Sequence, residues 1–177
     1  MSGIQITLDD NGAIERVNKI LAHVPGGVDK AIAAASKRAG EQGKTKAGTF
    51  AAQEYTVSKG TFMGNVNIKL QVQDGFTLEF AGGVLPIEKF RSRDIRPRGT
   101  QTSEKRGQSS VLHRVFGLSG GFVERVGTAR LPLEKKFGPS TGHMMQNDTV
   151  IEQMDKTISE SFEKRIEVEI NRILAGL

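Results

Sequence analysis

One segment leaves the chain little choice of fold. In "NVNIKLQVQDGFTLEFAGG", Val66, Ile68, Leu70 and Val72 alternate with polar residues, and Phe76, Leu78 and Phe80 repeat the alternation after Asp74-Gly75. Successive side chains on a strand point to opposite faces, so each run has one apolar face. Asp and Gly both tolerate positive φ, which a two-residue hairpin turn requires. The segment therefore predicts an antiparallel hairpin, buried on one face and wet on the other. A parallel sheet covered by helices would show continuous apolar runs instead.

Helical periodicities flank this sheet. "QITLDD" reads as a short edge strand. "DDNGAIERVNKILAHV" then places Ile14, Val17, Ile20, Leu21 and Val24 at helical spacing, with Asp9 or Asp10 as the cap and Pro25 to Gly27 as the stop. A second, Ala-rich helix starts at Val28, and Gly40 and Gly43 weaken its continuation past Ala39. Its small residues, Ala31, Ala34, Ala35 and Ala39, would allow close approach to a sheet or another helix.

The chain closes with "TVIEQMDKTISESFEKRIEVEINRIL". Val150, Ile151, Met154, Ile158, Phe162, Ile166, Ile170, Ile173 and Leu174 form one apolar stripe. Thr149 and Glu152 have capping-box spacing, and Gly176 is the expected stop. A helix of this length spans roughly 39 Å. The stripe is read as core, with contact to a neighbouring subunit as the alternative. The fold class that follows is α+β: N-terminal helices, a central antiparallel sheet and a long C-terminal amphipathic helix, in a single domain over residues 1–177.

The 177 residues contain no Cys, which excludes disulfides and thiolate metal sites. The three histidines are scattered, no phosphate-loop or dinucleotide fingerprint is present, and no cofactor is expected. No apolar run reaches the ~18 residues of a membrane span.

The charge is uneven. Between Gly82 and Gly138 there are 12 Lys+Arg against 5 Asp+Glu, a net of +7, within a chain whose total is +5. The peak is Arg91, Arg93, Arg96, Arg98, Lys105 and Arg106. With few apolar residues and with Pro97 and Gly99, residues 91–107 read as an exposed, mobile basic loop. Such a cluster suits an acidic protein partner or nucleic-acid phosphates. Only Phe90 flanks it, so base stacking is not indicated.

"GLSGG", Gly117 to Gly121, matches the Gly-x-Ser-x-Gly pattern of hydrolase nucleophiles. That elbow needs a strand before the serine and a helix after it. The following "FVERVG" alternates like a strand instead. "SSVLHRVF", GLSGG and "FVERVG" therefore read as a second hairpin with Ser119 at its turn. "ARLPLEKKFGPSTGHMMQND" reads as irregular.

Arg130, Pro132, Leu133 and Gly138-Pro139-Ser140, followed by the long terminal helix, together with Pro86, Ile87 and Phe90 upstream, resemble the prophage minor tail protein Z family. These are tail-completion proteins of long-tailed phages. The resemblance runs from about Val28 to Leu174 and leaves residues 1–27, an arm or helix, unplaced. It implies a structural virion protein with no enzymatic activity, assembled in the bacterial host cytoplasm. Such a protein completes the tail at its head-proximal end and helps to form the head–tail joint. It further implies a ring of copies, sixfold to match the tail, touching the tail terminator, tail tube or head–tail connector. On this reading Arg91, Arg93, Arg96, Arg98, Lys105, Arg106 and the segment Arg130, Pro132, Gly138, Pro139, Ser140 form the partner interface. A basic protein of the virion neck that contacts DNA is the alternative.

Overall fold

The computed structural model describes residues 4–7, 12–71 and 77–176. Strand β1 (Ile4–Thr7) is followed by helices α1 (Ala13–Leu21), α2 (Gly27–Glu54) and α3 (Lys59–Asn65). Strands β2 (Val66–Gln71), β3 (Thr77–Gly82) and β4 (Val84–Pro86) come next, then a short 3-10 turn (Ile87–Lys89). Seven short strands follow: β5 (Arg91–Asp94), β6 (Thr100–Ser103), β7 (Ser110–Leu112), β8 (Val115–Leu118), β9 (Gly121–Arg125), β10 (Leu133–Lys135) and β11 (Phe137–Ser140). Helices α4 (Thr141–Met145) and α5 (Asp148–Leu174) complete an α+β architecture.

The strands form small antiparallel sheets, ordered β1-β3-β2, β5-β6-β7, β10-β9-β8 and β11-β4. The Val66–Phe80 alternation is realised as β2 against β3, with Ile68 opposite Phe80 and Leu70 opposite Leu78. Leu78 and Phe80 are fully buried. The turn at Asp74-Gly75, with Val72 and Phe76, lies outside the described residues. The edge strand expected near the N-terminus is β1, which pairs with β3.

The core is a helix pair laid on that sheet. From α5, Val150, Met154, Ile158, Phe162, Ile166 and Ile170 are buried. They face the small-residue side of α2, where Ala31, Ala35, Ala39, Gly40, Gly43, Ala47 and Ala51 are buried in turn. At about 1.5–3 kcal/mol per large apolar side chain, burial of this stripe contributes on the order of 10 kcal/mol before entropy is subtracted. Ser161 adds a polar tie, its hydroxyl 2.6 Å from Gln42 Oε1. The stripe is thus covered within the chain; Ile173 is partly buried and Leu174 exposed.

Several expectations change. Gly40 and Gly43 do not end α2, which runs unbroken for 28 residues. A Cβ on Gly43 would lie 2.9 Å from both Ile158 Cδ1 and Leu78 Cδ1, so the missing side chain is what admits α5 and the sheet. The cap of α1 is Gly12, left-handed at φ 78 with no side-chain bond, and Asp9 and Asp10 lie outside the described residues. Helix α5 starts two residues earlier than the capping box implies, with Asn147 and not Thr149 as its cap: Asn147 accepts the Thr149 N–H at 3.1 Å. Gly176, at φ 73, stands just past the end of α5 as expected. The segment read as irregular contains β10, β11 and α4, whose cap is Ser140.

Gly82 closes the junction of three elements. A Cβ there would overlap Thr141 Oγ1 and lie 2.6 Å from the Asn65 carbonyl oxygen. Overpacking of this kind costs roughly 2–3 kcal/mol. Gly82→Ala should lower the unfolding free energy in urea by that amount, whereas Gly60→Ala, at an open position in α3, should leave it unchanged or raise it by up to about 1 kcal/mol.

Candidate interaction surface

The basic segment is a hairpin and not a loop. Strands β5 and β6 pair with Arg91 opposite Ser103, Ser92 opposite Thr102, Arg93 opposite Gln101 and Asp94 opposite Thr100. What hides this from hydropathy is that the inward side chains are hydroxylic. Thr100 and Thr102 are buried, Ser92 partly so. Each finds a partner: Thr100 Oγ1 donates to the Val115 carbonyl at 2.9 Å, and Ser92 Oγ lies 2.8 Å from Thr102 Oγ1. Buried hydroxyls are tolerated when bonded in this way. The alternate positions, Arg91 and Arg93, therefore project together on the exposed face.

Arg93 is steadied by Gln101, Nε to Oε1 at 2.9 Å. Both arginines line an open hollow of about 540 Å³ with Gln101, Ser103 and Gln108. The turn beyond β5 carries Arg96, Pro97 and Arg98, closed by Ile95 N–H donating to the Gly99 carbonyl at 2.8 Å. Gly99 holds φ 116, and a Cβ there would overlap the Leu112 carbonyl. Asp94 organises this end. It accepts the Gly117 N–H at 3.0 Å and pairs with Arg96 Nε at 2.8 Å.

Lys105 and Arg106 have another role. Arg106 donates from its backbone N–H to the Glu54 carbonyl at 2.8 Å and from Nε to the Ala52 carbonyl at 2.9 Å. It thus satisfies the last carbonyls of α2, where a cation also meets the negative end of the helix dipole. Lys105 is half-buried and bridges to Tyr55. This pair anchors the hairpin to α2.

The distal segment divides. Arg130 and Pro132 are exposed between β9 and β10, with the Pro132 carbonyl accepting from Val126 N–H at 3.3 Å. Gly138 lies under Phe90, where a Cβ would come within 2.8 Å of Cε2. Pro139 shares a hollow with Thr102, Lys105 and His143, so the structure brings it beside the hairpin anchor. Ser140 Oγ accepts the His143 N–H at 3.1 Å.

Ser119 and Gly120 form the turn between β8 and β9, with Gly120 at φ 105. A strand follows the serine where an elbow needs a helix. Two arginines went unremarked in the sequence, Arg114 and Arg125. Extending the β8–β9 register one step beyond Val115–Glu124 sets them across from each other. Arg114 Nη2 donates to the carbonyls of Arg125 at 3.4 Å and Gly127 at 3.2 Å. The Arg125 guanidinium sits 5.5 Å from the Phe116 ring centre. The GLSGG hairpin was the available signal, since its turn position dictates this pairing.

Among the described residues, Arg91, Arg93, Arg98, Arg106, Arg114, Arg125 and Arg130 have no carboxylate within salt-bridge distance, and the pairs that do form are Arg96–Asp94, Lys135–Glu88 and Lys136–Glu124 in this region. No helix among them is long and apolar enough to cross a membrane. Comparison with known protein families, curated proteins and solved structures returns no match.

Two carboxylates near this surface titrate in opposite senses. Burial pushes Glu104 above the ordinary glutamate range. The hydrogen bond from Lys136 Nζ pulls Glu124 below it, opposed by desolvation and helped by the charges of Lys136 and Arg114. A raised pKa means the folded state holds its proton longer, so Glu104 costs stability as pH rises through its folded value. A lowered pKa means the contribution of Glu124 is present above the ordinary range and lost as pH falls through its folded value. Glu104→Gln should therefore stabilise the protein at neutral pH and Glu124→Gln destabilise it. Urea titrations should find both effects shrinking as pH falls through the two folded values and both carboxylates take up their protons.

Proposed function

We propose that this chain is an assembly protein of a phage virion, acting at the head-proximal end of the tail through contacts made by its basic β face. The observation that carries the reading is the display of Arg91 and Arg93, with Arg98 on the adjoining turn, exposed and, among the described residues, without an ion pair. Cations carried on paired strands have little backbone entropy left to lose on docking, which favours a lasting contact with an acidic partner surface. The resemblance of Pro86, Ile87, Phe90, Arg130, Pro132 and Gly138-Pro139-Ser140 to minor tail protein Z supports the tail as the setting. In that setting the partners are further copies of this chain in a ring of six, and the tail terminator, tail tube or head–tail connector. The protein then acts as structure and not as an enzyme.

The test is joining of separately purified heads and tails that lack this protein. Adding the wild-type chain should restore infectious particles. Arg91→Glu with Arg93→Glu should reduce the yield by roughly tenfold or more while leaving the fold intact by circular dichroism, as expected when like charges face each other across an interface. Yield unchanged by charge reversal would reject the proposed face, and no restoration by wild type would reject the tail function. Duplex DNA binding with a steep salt slope that the same reversal abolishes would favour the neck DNA-contact role instead.

A further inference from the structure

The geometry points to a second site, built for a phosphate group, in the hollow between the β5–β6 turn and the strands β8 and β9. Its volume is about 560 Å³, and Arg96, His113, Arg114, Arg125, Gly127 and Thr128 are among its walls. It is a different hollow from the one lined by Arg91 and Arg93, and it stands independently of the assembly reading.

Three observations carry it. First, three arginines line one concavity whose lining contains no Asp or Glu. Second, each is already anchored from behind. Arg96 is held by Asp94 at 2.8 Å, Arg114 by the carbonyls of Arg125 and Gly127, and Arg125 by the face of Phe116. A guanidinium has five N–H donors, and these contacts occupy only a minority of them. The side chains are thus positioned in advance, with donors to spare. Third, the charges do not cancel. Asp94 offsets Arg96, while Arg114 and Arg125 have no salt bridge among the described residues. Glu124, which feels the charge of Arg114, is bonded to Lys136 at 2.8 Å.

Like charges gathered in a hollow repel one another until an anion enters. Two uncompensated guanidiniums match a dianion, and the planar fork of arginine binds phosphate oxygens in pairs. Free phosphate and the terminal phosphate of a monoester both supply this chemistry. A phosphodiester or a single carboxylate supplies one charge only.

The experiment is a thermal-unfolding titration with inorganic phosphate, against sodium chloride at equal ionic strength. A parallel arm uses a nucleoside 5′-monophosphate and the same nucleoside without phosphate. At tenfold excess over the dissociation constant, phosphate should raise Tm by roughly 3–6 °C. Phosphate also stabilises proteins nonspecifically by exclusion from their surface. Arg114→Gln with Arg125→Gln should therefore lose the saturable part of the rise, while Lys37→Gln with Arg38→Gln, which removes the same charge on α2, should keep it. Monophosphate matching free phosphate, with the nucleoside inert, identifies the phosphate group as the ligand. A much larger effect of the monophosphate extends the site to a monoester. An equal rise in both double variants, or none beyond chloride, overturns the proposal. Should the Arg114/Arg125 variant fail to fold, amide NMR of the wild-type protein decides. Saturable shifts centred on His113, Arg114, Gly127 and Thr128 support the site, and shifts elsewhere or without saturation refute it.

Discussion

Gly43 has no side chain, and the methyl groups of Ile158 and Leu78 fill the space where one would be. That contact joins α2, α5 and the β1-β3-β2 sheet at one point, and much of the fold depends on it. A glycine inside a helix costs about 1 kcal/mol relative to alanine. The closeness that Gly43 permits offsets this, because it helps the stripe from Val150 to Ile170 to be buried. Helix α2 then carries the consequence outward. Its last carbonyls receive Arg106, its end meets Lys105 through Tyr55, and the basic hairpin is thereby attached to the core.

This attachment changes what the positive charge can do. Mobile arginines would pay an ordering cost on every encounter, whereas Arg91 and Arg93 occupy fixed register positions opposite Ser103 and Gln101. The six cations of the Arg91–Arg106 run also divide by role. Arg106 and Lys105 secure the hairpin, Arg96 pairs with Asp94, and Arg91, Arg93 and Arg98 stand exposed, without an ion pair among the described residues. The second hollow draws on two residues outside the run, Arg114 and Arg125, set across from each other by the β8–β9 hairpin.

Elements that bury carbon were legible in the sequence. The β2–β3 pair announced itself through Ile68, Leu78 and Phe80, and α5 through its four-and-three spacing. The turn at Ser119-Gly120 was legible because glycine there permits φ 105. Elements that bury hydroxyls were not. In β5 and β6 the inward residues are Ser92, Thr100 and Thr102, which alternate in burial but not in hydropathy, so the run resembled a loop. Helices α3 and α4 were missed because each is shorter than two turns, although Ser58 and Ser140 cap them. Glycine also misled in α2, because its cost is local and visible while the packing it permits is made by residues distant in the chain, Leu78 and Ile158. Of the residues proposed as an interface, exposure of the arginines was readable, but the roles of Lys105 and Arg106 depended on where α2 ends.

The central claim is that the basic segment is a strand pair fixed to the core. Hydrogen exchange of the isolated protein tests it most directly, read at the amides of β5 and β6. The account predicts protection at the paired positions from Arg91 to Asp94 and Thr100 to Ser103, well above that of exposed turns such as 127–131. Exchange of those amides at the rate of an unstructured chain would contradict it.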